Sequence, residues 1–219
     1  MNRPLARFLQ VIFVATAASL AYSYISAAKD GEVFTRCSTL CSMHPDYVGS
    51  NRRAPEIALR DLDGVTRRLS DLRGKVVVLV FWTSTCSACK QQMPGLAQLQ
   101  QVLSTSGEAA LFTVALDSSP KRAEQALVKA TGQRRPFPVV LDPDGTVISD
   151  KFGTKLFPET WILDKDGIIK ARFDGVRDWS GALAMGVLEQ VDTGETCPVS
   201  IQGRSARGPG ASVCRSMMP

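Results

Sequence analysis

The chain reads as an α/β protein, a central mixed sheet flanked by helices, and three features of the sequence lead there. Residues 76–81, VVVLVF, form an uncharged run of β-branched and aromatic side chains long enough for a strand buried on both faces. Further strands at 110–116 and 138–141 alternate with helical patterns. A hairpin pattern around Lys165-Asp166-Gly167 and a last helical segment at 180–191 then close the series, which requires antiparallel strands beside the parallel ones.

The amino terminus carries an apolar run from Phe8 to Ala28, with Arg3 and Arg7 before it and Lys29-Asp30 after it. Its length fits one membrane span, and the arginines place the amino terminus in the cytoplasm, so residues 1–28 are expected to anchor an exported chain. The small residues Ser26-Ala27-Ala28 also suit signal cleavage, and a cleaved, secreted chain is the competing reading. Export into an oxidising compartment follows from both, and it gives weight to the six cysteines.

Residues 29–53 are expected to be a connector with its own constellation: Cys37, Cys41 and His44, the only histidine. Four cysteines lie outside the central motif, the other two being Cys197 and Cys214, and in an exported protein they are expected to form structural disulfides, local or to the far end of the chain. The alternative is a soft-metal site, in which two thiolates and an imidazole take copper. The C-x-x-C-H pattern of haem attachment is absent.

The domain is expected over 54–191. It opens with a hairpin, residues 57–60 and 65–69 alternating about Asp63-Gly64, and turns through 70–74 into the buried strand. The strand breaks at Trp82-Thr83-Ser84-Thr85, and a helical pattern begins with Cys86 in its first turn and Cys89 three residues on. Unpaired N–H groups and the positive end of the helix dipole favour an anion there, so the Cys86 thiolate should be stabilised, with Lys90 adding a nearby positive charge. Cys89, one turn in, is placed to resolve a mixed disulfide on Cys86. C-x-x-C also supplies half of a zinc site, but no second C-x-x-C or H-x-x-H completes one. Redox exchange is therefore the expected chemistry, with no cofactor beyond the redox-active disulfide.

Residues 120–131 follow as a helix with proline near its first turn, and 138–141 as a short strand ending at Asp142-Pro143-Asp144-Gly145. Past 191 the composition cannot form a core, so residues 192–219 are expected to be a flexible tail unless a disulfide pins them. With 219 residues, a net charge of +5 and arginines scattered without an aromatic platform, no nucleic-acid footprint is present.

The order of motifs resembles the membrane-anchored TlpA/ResA type of thioredoxin-fold proteins, whose relatives include thiol-disulfide reductases of cytochrome c maturation. The matching residues are Ala54-Pro55, Leu62-Asp63-Gly64, the run from Leu69 to Lys75, Phe81-Trp82, Cys86-x-x-Cys89, Met93-Pro94, Gly153-Thr154 and the run from Phe157 to Asp164. The resemblance implies a thioredoxin-like fold with an inserted helix-strand unit and a place at the extracytoplasmic face of the inner membrane. It also implies protein partners carrying thiols or disulfides, and a membrane electron donor. In such proteins the proline matching Pro158 is cis and lies against the cysteine pair, so Pro158 and its neighbour Phe157, with Trp82 and Thr85, are expected to meet the substrate. Glu159 is then the expected proton acceptor for Cys89.

Three departures stand out. Val80 replaces the buried aspartate that thioredoxins carry before Phe-Trp, Thr85 replaces a tryptophan, and Ser87-Ala88 separates the cysteines in place of a proline-containing pair. Whether the protein reduces or oxidises its partners is left open by these changes. Two other classes compete: a peroxidase, because Thr83-x-x-Cys86 resembles the T-x-x-C of peroxiredoxins, although Leu79 stands where they carry proline, and a copper carrier using Cys37, Cys41 and His44.

Overall fold

A computed structural model describes residues 3–218; Met1, Asn2 and Pro219, the outermost residues of the expected anchor and tail, lie outside the described residues. The apolar amino-terminal run becomes a single 40-residue helix, α1 (Arg3–Ser42). Val11, Phe13, Val14, Leu20 and Ile25 stand exposed on it, and it is long and apolar enough to cross a membrane. The helix does not end where the apolar run ends. It continues through Lys29 and Gly31, and its last turns bury Cys37, Leu40 and Cys41 against the body of the protein. The expected connector over 29–53 is thus absent: its first part prolongs α1, and its second is a strand, β1 (Tyr47–Arg53). Tertiary burial of one helix face, which a local reading of polar residues does not register, accounts for the difference.

The domain follows as β2 (Ala58–Asp61) and β3 (Thr66–Arg68), a short 3-10 turn at Leu69–Leu72, β4 (Val76–Trp82), α2 (Ser87–Ser106), β5 (Ala109–Ala115), α3 (Pro120–Thr131) and β6 (Val139–Leu141). A π-helical turn at Thr146–Lys151 leads to β7 (Glu159–Leu163), β8 (Ile168–Asp174) and α4 (Ala182–Thr193). The chain ends with β9 (Ser200–Gln202), β10 (Ser205–Arg207) and α5 (Ala211–Met217). One ten-stranded sheet runs β10-β9-β1-β8-β7-β4-β5-β6-β2-β3. β4 pairs in parallel with β5 and antiparallel with β7, so the sheet is mixed, as the alternation of elements predicts.

All seven residues of β4 are buried, and they divide between two cores by parity. Val76, Val78, Val80 and Trp82 pack on the side of α2 and α4 with Met93, Leu96, Ile162 and Phe173, whereas Val77, Leu79 and Phe81 pack on the other side with Phe152, Trp161 and Leu163. The β7–β8 hairpin turns at Gly167, whose φ of +73° suits glycine.

Within the expected tail over 192–219, the described residues 192–218 differ from a free tail. β9 pairs with β1, placing Ile201 beside Val48, and two disulfides, Cys37–Cys197 and Cys41–Cys214, tie the segment to the end of α1. Composition alone pointed to disorder; covalent pinning supplies the constraint that a core would otherwise provide.

Candidate redox site

β4 ends at Trp82, and four residues later α2 begins with Cys86 as its N-cap. Cys86 Sγ accepts the backbone N–H of Cys89 at 3.0 Å, so the sulfur takes the place that a serine or aspartate side chain holds at other helix starts. The Cys86 N–H donates to the Thr83 carbonyl at 3.1 Å and closes the loop. Cys86 is half-buried, Cys89 is 1% exposed, and the two are joined as a disulfide. One sulfur therefore faces outward from the helix start and the other lies inside it.

The loop has a second support that the motif does not reveal. Asp117, just past β5, is buried and accepts from the Ser84 backbone N–H at 2.8 Å and from the Ser84 hydroxyl at 2.5 Å. A carboxyl group holding both donors of one residue fixes the backbone two positions before Cys86. The sequence signal was available, an acidic residue directly after a buried strand, but nothing local connects it to Ser84.

The Phe157–Pro158 peptide is cis, and Phe157 touches both cores. Leu156 beside it is 76% exposed, and Thr85 is exposed at the cysteine loop. Trp82 is placed differently from expectation: it is 2% exposed, and its indole N–H points inward to the Thr113 hydroxyl at 3.3 Å, so it supports the site from below and meets no partner.

Glu159 also departs from its expected role. It is opposite Phe81 in the β4–β7 register and shares the face of Trp161, whose indole donates to its carboxylate at 2.6 Å; Thr154 donates to the same oxygen. Cys89 packs on the opposite side of the sheet, with Val80 and Trp82. Burial raises the Glu159 pKa above the ordinary 4.5, partly offset by those two donors. The side chain with the parity to face the cysteines is Thr160, opposite Val80 and fully buried, its hydroxyl without a hydrogen-bond partner.

The ligand set of Cys37, Cys41 and His44 is not assembled. The two cysteines belong to different bridges, and His44 ends α1 with a φ of +52°, its Nε2 3.1 Å from the Met217 carbonyl oxygen. The Thr83 hydroxyl lies 3.4 Å from that of Thr85, and among the described residues no arginine hydrogen-bonds Cys86.

A sequence profile of the AhpC/TSA family matches residues 50–172, more than half of the chain. The chain belongs to the AhpC/TSA family. Within that family its similarity is to proteins of the TlpA/ResA kind. It is 33% identical over 128 residues to the thiol-disulfide oxidoreductase ResA of Geobacillus thermodenitrificans, covering 58% of this chain and 70% of that one. The thioredoxin-like protein YneN of Bacillus subtilis is 31% identical over 123 residues, 56% of this chain and 70% of its own. Among solved structures, a thiol:disulfide interchange protein DsbE from Chlorobium tepidum superposes with a TM-score of 0.56 at 28% identity, over 66% of this chain and 99% of that one. The AhpC/TSA match stops at residue 172, so the bridged tail is an addition to the part shared with the family.

Proposed function

We propose that this chain is an extracytoplasmic thiol-disulfide oxidoreductase, held at the membrane by α1, that exchanges disulfides with protein partners through Cys86 and Cys89. The observation that carries the reading is the placement of the pair: a half-buried Cys86 capping α2, bonded to a Cys89 enclosed one turn behind it. In the reducing direction the Cys86 thiolate attacks a partner disulfide, forming a mixed disulfide and expelling one partner sulfur, which takes up a proton. Cys89 loses its proton and attacks Cys86 Sγ, which releases the second partner sulfur and restores the bridge. Two electrons have then passed to the partner, and a membrane dithiol donor returns them to the pair. Oxidation of a partner runs the same steps backwards. Neither direction draws on a cofactor other than the disulfide.

Leu156, next to Phe157 in the chain, and Thr85, next to Cys86, are both exposed and can offer a partner segment an apolar contact and a polar one. Cytochrome c maturation, the setting that the resemblance implies, supplies partners with paired thiols. The test is a trap in the exporting cell: a Cys89→Ser chain is expected to accumulate mixed disulfides on Cys86, and a Cys86→Ser chain to accumulate none. Trapping that persists in Cys86→Ser, or peroxide consumption well above that of free thiols with no trapped partner, would overturn the reading in favour of another nucleophile or a peroxidase.

A further inference from the structure

Four sulfur atoms from three parts of the fold meet in one buried place, and exchange at Cys86 and Cys89 uses none of them. Cys37 and Cys41 lie one turn apart on the last turns of α1, Cys197 follows α4, and Cys214 is on α5. None is more than 4% exposed. They are joined as Cys37–Cys197 and Cys41–Cys214, yet the sulfurs of Cys41, Cys197 and Cys214 all lie within 4.8 Å of one another. Two bridges that only pin a tail need not touch. Gly210 is the second sign. Its φ of −79° is open to any residue, but a Cβ there would fall 2.4 Å from Cys37 Sγ and 2.6 Å from Cys197 Sγ, so the backbone leaves its space to sulfur.

We propose that in the reduced chain these four cysteines form a tetrathiolate zinc site, of which the two bridges are the oxidised form. Four cysteines are the donor set of closed structural zinc sites, and a Zn–S distance of about 2.3 Å sets tetrahedral S···S edges of about 3.8 Å. That edge lies between a disulfide bond and the 4.8 Å spread of the three sulfurs, and Cys37 Sγ, bonded to Cys197 but outside that group of three, has to swing toward Cys41 and Cys214 to complete the set. The i, i+4 spacing keeps Cys37 and Cys41 on one face of α1. The carboxyl end of a helix disfavours thiolates, and Arg177 offsets this by donating to the Met43 and His44 carbonyls at 2.7 and 3.0 Å. The chemistry balances: a dithiol reductant delivers two electrons and two protons to each bridge and becomes a disulfide itself. The four thiols then release four protons on taking up one Zn²⁺. The ion holds the tail on α1 in a newly exported chain until two disulfides of an oxidising partner each take two electrons and two protons and become dithiols, leaving the two bridges and releasing Zn²⁺.

The test uses the full chain carrying Cys86→Ser and Cys89→Ser, solubilised in detergent, reduced with a phosphine under anaerobic conditions, and titrated with Co²⁺ as the optical probe. The expected result is one Co²⁺ per chain with the charge-transfer and d–d bands of a cobalt tetrathiolate, displaced by one equivalent of Zn²⁺, and slowed alkylation of all four cysteines in the zinc-loaded chain. Adding Cys41→Ser and Cys214→Ser is expected to abolish the tetrathiolate spectrum. Three results would each overturn the proposal: no such bands in a reduced chain that keeps its circular dichroism, bands that survive the added substitutions, or a reduced chain that unfolds and does not refold with Co²⁺.

Discussion

At the scale of the residue, Glu159 shows how strand phase decides chemistry. Its position after Pro158 suggests a partner for Cys89, and one step of pleat sends it to the other face, where burial holds its pKa above the usual 4.5. The sign of the consequence is fixed by linkage. A carboxyl whose folded pKa lies above its unfolded value contributes stability that is fully present below the unfolded pKa and is lost as pH rises through the folded pKa. Glu159→Gln keeps an oxygen for Thr154 and Trp161 but never ionises. The variant is therefore expected to be more stable than the parent near pH 7, and the gap to close as the pH falls below about 4.5. Urea midpoints at neutral and acid pH check this, and a gap that widens in acid would refute it. Exchange through Cys86 is expected to be unchanged, since the carboxylate lies across the sheet from Cys89; a large loss of rate would restore its proposed catalytic role.

At the scale of the element, what was legible followed from local pattern. The charge-free run of β4, the cysteine pair at the start of α2 and the Asp-Gly turns of the hairpins each declare themselves within a few residues. What was not legible depends on distant partners. β1, with Gly49, Ser50, Asn51 and two arginines, has no strand pattern and is made a strand by pairing with β8 and β9. The last third of α1 is mostly polar, exposed Phe34 aside, except on the face that meets α4 and α5. The contact with α4 is close: a Cβ on Gly186 of α4 would sit 2.9 Å from Thr39 Cγ2 on α1, and a threonine has little rotameric freedom to move aside in a helix. Gly186→Leu is therefore expected to push the helices apart and cost roughly 1–3 kcal/mol, despite the better helix propensity of leucine. Denaturant unfolding of the full chain in mild detergent measures it, and a neutral or stabilising effect would show that the two helices are not held at this distance.

At the scale of the whole molecule, the bridges join the long apolar-tipped helix α1 near one end of the sequence to the segment near the other, across separations of 160 and 173 residues. The first bridge to form closes a loop of about three quarters of the unfolded chain, worth about 5 kcal/mol in the chain-entropy picture. The second closes only the short loop made of the segments from Cys37 to Cys41 and from Cys197 to Cys214, worth about 3 kcal/mol. Either bridge alone performs the long closure, so removing one loses only the short one. Changing Cys41 and Cys214 to alanine, or Cys37 and Cys197 to alanine, should each cost about 3 kcal/mol, while removing all four should cost about 8 kcal/mol, more than the two pairs summed. Denaturant midpoints of the three oxidised variants in detergent decide it. Strict additivity would mean that the two bridges restrain separate parts of the unfolded chain, which their shared helix and shared tail do not allow.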